Sequence, residues 1–172
     1  MRISEGKLKS KIFQIYYSEE TKNTIDSDFI PLDNMKNERP DWREYWPIRN
    51  YLINNELEDG VMYGFFSPKF YKKTEIKGDK VIGFINSLAP QDCDVVNFSP
   101  YYAQAVFFQN VLEQAYSVHK SGFANIISSV EFLFPGLQVS SLINTSIDTI
   151  YCNYFAANKS FWYEWRSEEH TS

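Results

Sequence analysis

The sequence predicts an α/β fold with a mostly parallel central sheet flanked by helices. Two observations carry that expectation. Short runs of β-branched and aromatic residues alternate along the chain with stretches of helical periodicity. Apolar residues make up 44% of the 172 positions, enough to bury a sizeable core in one domain.

Residues 11–17 form a compact apolar and β-branched run and read as the first strand. Residues 18–37 are polar, carry Pro31 and read as a long loop. Asp41-Trp-Arg-Glu44 has the spacing of a capping turn. Trp46-Pro47 suits a helix start, because proline is tolerated in the first turn. Ile48, Leu52 and Ile53 continue that helix until it fades at residues 56–60. Residues 61–66 are a second strand, stopped by Ser67-Pro68. Val81, Ile82, Ile85 and Leu88 share one face of a helix over residues 79–89, and residues 94–98 are a third strand. Ser99-Pro100 reads as a serine cap with proline at the first helical position, opening a helix to about residue 119. A further helix is expected over residues 123–134, ended by Pro135-Gly136. Strand formers over 147–155 and a helical segment over 158–165 complete the order. No internal repeat, low-complexity tract or interdomain linker interrupts it.

The last seven residues, 166–172, are polar and match a translation of common sequencing-adapter DNA. They are expected to be a non-native tail on a single incomplete domain over residues 1–165, and His170 is set aside with them.

Composition excludes several functions. The net charge of −5 argues against a duplex nucleic-acid binder. No apolar run is long enough to span a membrane, and the first ten residues lack the apolar core of a secretory signal. Cys93 and Cys152 are too few for a disulfide framework, so reduced thiols and a cytoplasmic location are expected. Glycine-rich phosphate loops are absent from the sequence. Aromatics are 17% of the chain, and Tyr and Trp offer flat apolar faces with polar handles that suit sugars and bases.

Ligands of open α/β sheets bind outside the carboxyl ends of strands, which turns sequence position into candidate sites. Asp33 and Asn34 can accept bonds from sugar or ribose hydroxyls, and Arg49 can hold a diphosphate. Tyr63, Ser67 and Lys69 belong to a strand that ends in a cationic turn. Asp92 and Asp94 are carboxylates one residue apart, a spacing that reaches a hard cation. Ser99 opens a helix at a strand end, an anion-binding position. Glu113 is a candidate base and His119 a candidate acid or phosphate contact. Asn153 stands in an apolar stretch, where a buried amide must be satisfied.

Three segments together resemble bacterial glycosyltransferase-like domains of the GT-A type from surface-polysaccharide gene clusters. They are Tyr63-Gly-Phe-Phe-Ser-Pro-Lys-Phe70, Asp94-Val-Val-Asn-Phe-Ser-Pro100 and Cys152-Asn-Tyr-Phe-Ala-Ala-Asn-Lys-Ser-Phe-Trp-Tyr-Glu-Trp165. The resemblance implies a nucleotide-sugar donor, a divalent metal (Mn or Mg) and a polysaccharide or lipid-linked glycan acceptor, with peripheral membrane association compatible. On that reading Asp94, Lys69, Asp33, Asn34 and Asn153 contact the donor, and Glu113 is the base. In such enzymes the metal-binding Asp-x-Asp follows a strand, whereas Asp92-Cys-Asp94 precedes one. The alternative function is a non-catalytic carbohydrate-binding or assembly module that uses its aromatics for stacking.

Overall fold

A computed structural model describes residues 8–89, 93–99, 103, 106–118, 123–138, 141–145 and 149–167. Asp92 and His119 lie outside the described residues. The chain divides into two compact units. One comprises the described residues up to Phe98 together with those from Tyr154 onward, and the other those of Ser99–Asn153.

The first unit is α/β. Its elements run β1 (Lys9–Tyr16), α1 (Glu19–Lys22), β2 (Ile30–Asp33), a 3-10 turn (Pro40–Trp42), α2 (Tyr45–Asn54), β3 (Val61–Phe66), α3 (Phe70–Thr74), α4 (Gly78–Ser87) and β4 (Val95–Asn97). After the second unit come β5 (Phe155–Ala157) and α7 (Lys159–Ser167). The second unit holds α5 (Val111–Val118) and α6 (Phe123–Leu133).

The five strands form one sheet in the order β2-β1-β3-β5-β4. β1 pairs in parallel with β2 on one side and β3 on the other. β5 pairs antiparallel with both β3 and β4, so the sheet is mixed rather than mostly parallel. The expected loop over 18–37 conceals β2. Pro31 hides it, because proline cannot donate to a ladder, yet β2 is an edge strand, the position where a proline does no harm. Residues 147–155 place the last strand too early: it starts at Phe155, and antiparallel pairing lets three residues suffice.

The two sheet faces follow from the two-residue repeat of β1 and β3. Phe13, Ile15, Val61, Tyr63 and Phe65 pack with Ile48 and Leu52 of α2 and Trp162 of α7. The alternate residues Ile12, Met62 and Phe66 are buried on the other face with Val81 and Ile85 of α4. Aromatic edges knit that second face: Phe66 stacks on Phe70 at 4.3 Å and meets Tyr154 and Phe29 edge-on. α7 is anchored by Trp162, whose Nε1 donates to the Tyr63 carbonyl at 3.0 Å. Asn158 caps α7, its Oδ1 accepting from the Phe161 amide at 3.0 Å. Arg166, placed in the excluded tail by sequence reading, belongs to α7, and its Nη1 donates to the Leu52 carbonyl at 3.0 Å.

In the second unit the expected helix from Ser99 to about residue 119 is represented by α5, which begins at Val111; residues 100–102, 104 and 105 of its first part lie outside the described residues. Asn110 Oδ1 accepts from the amides of Leu112 (3.0 Å) and Glu113 (2.9 Å), so asparagine is the cap. Ser99 Oγ accepts instead from the amides of Tyr151 and Cys152, at 2.9 and 3.1 Å. No residue of α5 or α6 is fully buried, and Phe107, Phe132 and Ile143 stand exposed.

Candidate functional site

The strand order creates a switch point at β1. The chain leaves the carboxyl end of β1 toward β2 and leaves that of β3 toward β4, so the two connections diverge, the arrangement at which open α/β sheets place their ligand crevice. Tyr16 and Tyr17, Asp33 and Asn34, and Ser67 to Lys69 stand at these carboxyl ends.

Local bonding fixes this edge. Asn34 donates its amide to the Tyr16 carbonyl at 2.8 Å, extending the β1–β2 ladder by one step. Asp33 Oδ1 accepts from the Met35 amide at 2.7 Å, which folds the turn after β2. Burial first, and then a hydrogen bond to Asp33, push the Tyr16 phenol above its ordinary value. Ser67 is buried, and its Oγ shares a proton with the Tyr154 hydroxyl at 2.9 Å and accepts from the Lys69 amide at 3.3 Å. The Ser67 hydroxyl therefore shapes the turn, and the exposed Lys69 supplies the cation at the start of α3.

Beside this edge, on the face covered by α4, lies an open cavity of about 670 Å³. Its floor is Gln14, Phe29 and Phe70, all buried, and its rim includes Asp28, Tyr71, Lys77 and Asp79. Asp26 organises the wall. Its amide donates to Gln14 Oε1 at 2.8 Å, its Oδ1 accepts from the Asp28 amide at 3.0 Å, and its Oδ2 accepts from the Gly78 amide at 2.9 Å. One residue, through its amide and its carboxylate, thus joins β1, the loop into β2 and the first residue of α4.

The remaining expected site residues lie elsewhere. Tyr63 is a core residue whose hydroxyl accepts from the Glu58 amide at 3.0 Å. Arg49 is half-buried on α2. Asp94 precedes β4, which runs parallel to β3, so it stands at the amino edge of the sheet, opposite Ser67. There Asn158 Nδ2 donates to Asp94 Oδ1 at 2.6 Å. Asp94 therefore stands at the edge of the sheet opposite the carboxyl ends of β1 and β3. Among the described residues no three His, Cys, Asp or Glu side chains are grouped to hold a metal, and Asp92 of the expected pair lies outside them. Asn153 is exposed, so the demand of a buried amide does not arise. Ser99 and Glu113 belong to the second unit. Glu113 accepts from the Gln109 amide at 2.6 Å and lines a cavity of about 620 Å³ with Asn110, Tyr116, Phe123 and Glu131.

Sequence reading missed Gln14, Asp26, Asp28, Tyr71 and Asp79. One signal was available: Gln14 is a lone polar residue inside an apolar strand. Comparison with known protein families, with curated proteins and with solved structures finds no match to this chain.

Proposed function

We propose that this chain is a glycosyltransferase-like protein that moves a sugar from a nucleotide-sugar donor to a polysaccharide or lipid-linked glycan acceptor. The observation that carries the reading is the switch point at β1, where an α/β sheet offers its ligand crevice. Asp33 and Asn34 at the carboxyl end of β2 bind donor hydroxyls. Lys69 after β3 neutralises the diphosphate that leaves as the acceptor oxygen bonds to the anomeric carbon. The acceptor proton is lost to water as that bond forms. A GT-A-like arrangement and a cytoplasmic setting, with peripheral contact to a membrane that carries the acceptor, belong to the same reading.

A second reading, a carbohydrate-binding module without catalysis, is favoured by one observation. Asp94 is turned away from the crevice and bonded to Asn158.

Thermal unfolding of the chain with UDP, GDP or CMP, with and without manganese or magnesium, separates the two. A ligand present at about 100 times its dissociation constant adds roughly 2.7 kcal/mol to stability. The transferase reading expects a shift with one nucleotide that falls in Lys69→Met and persists in Asp94→Ala. Cooperative melting that no nucleotide moves overturns it in favour of the binding module.

A further inference from the structure

The cavity beside β1 has a chemical character of its own. It is lined by three carboxylates, Asp26, Asp28 and Asp79, against a single ammonium, Lys77. Asp26 is consumed by the wall, but the Asp28 carboxylate has no bond among the described residues and stands exposed at the rim. Gln14 is 2% exposed. Its Nε2 reaches the Ser67 carbonyl only at 3.5 Å, the outer limit of a hydrogen bond. An amide nitrogen carries two N–H groups, and the second finds no partner among the described residues. Phe29 and Phe70 close the floor, and Tyr71, half-exposed, stands at the rim. An apolar floor, an unspent amide donor, carboxylate acceptors and an aromatic rim are what a polyhydroxylated ring requires. The same carboxylates repel an anion.

We propose that this cavity binds the ring of a saccharide that bears no acidic group, and discriminates against uronic-acid and phosphorylated sugars. The inference rests on the sugar-transfer reading for its ligand class, and on the lining residues for its selectivity. Ring hydroxyls donate to Asp28 and Asp79, the Gln14 amide donates to a ring oxygen, and the apolar ring face lies on Tyr71. None of Asp33, Asn34, Ser67 or Lys69 lines the cavity, so nucleotide and saccharide are recognised by separate sets of residues.

The test is binding to the full chain of methyl glucoside, methyl glucosaminide and methyl glucuronide, read by saturation-transfer NMR and calorimetry. The neutral and amino glycosides are expected to bind, and the glucuronide to bind about tenfold more weakly. The exposed substitutions Asp28→Asn and Asp79→Asn together bring the glucuronide level with the glucoside, and Tyr71→Ala weakens all three. Should the double variant lose its fold, added salt on the unmodified chain must narrow the same gap. Equal binding of all three glycosides by the unmodified chain, or binding of none, overturns the proposal. A nucleotide shift without glycoside binding sinks this inference and spares the transferase reading. Glycoside binding without any nucleotide shift does the reverse.

Discussion

Gly78 has no room for a side chain. A Cβ there would lie 2.7 Å from Asp26 Oδ1 and 2.8 Å from Asp28 Cβ, because Asp26 must approach closely to accept the Gly78 amide. Gly83, five residues along the same helix, has nothing within 4 Å of the equivalent position. The two glycines therefore predict opposite outcomes. Gly78→Ala should destabilise by about 1–3 kcal/mol through crowding and loss of the Asp26 bond. Gly83→Ala should stabilise by roughly 0.5–1 kcal/mol, since alanine is the better helix former. Chemical denaturation of both variants checks the pair, and equal effects would show that the Asp26 contact does not constrain α4. None of this was legible in the sequence, because Asp26 and Gly78 look like ordinary loop residues until the fold brings them together.

At the scale of elements, the strands carried by long apolar runs were readable and those carried by neighbours were not. Val61–Phe66 has the bounds its sequence predicts, because all six residues are buried and the run needs no partner to identify it. β2 and β5 are four and three residues long, and each exists only because a longer strand offers it a ladder. The site divides in the same way. Ser67 and Lys69 follow a strand whose end is readable, Asp33 and Asn34 end a strand that reads as loop, and the edge on which Asp94 stands depends on which way β4 runs. Electrostatics at this scale are small but have a definite sign. Lys11 of β1 bonds Glu58 in the approach to β3. That bond holds the Glu58 carboxyl below its ordinary value and the Lys11 ammonium above its own. The Glu58 contribution is present above the ordinary carboxylate value and is lost as pH falls through the lowered one. The Lys11 contribution is present below the ordinary lysine value and is lost as pH rises through the raised one. The melting temperature of Lys11→Met should therefore fall furthest behind the unmodified chain near neutral pH and rejoin it at both extremes. A difference that does not vary with pH would exclude the pair as its source.

For the whole molecule, the decisive feature is that β5 sits inside the sheet. It joins β3 to β4, and α7 follows it immediately to bring Trp162 onto the core. A chain ending at Asn153 keeps the residues of four strands but loses the link to β4 and the side chain that closes one face. It should show no cooperative thermal transition, and a calorimetric peak like that of the full chain would disprove the interior role of β5. The placement also sets an order of events during synthesis. β1, β2 and β3 can zip together as they emerge, since each finds its neighbour among residues already made. β4 emerges next and must wait while the second unit is translated, because its partner among the described residues, β5, follows that unit. Until then the edges of β3 and β4 that β5 later covers stay open to ribosome, chaperone and neighbouring chains alike.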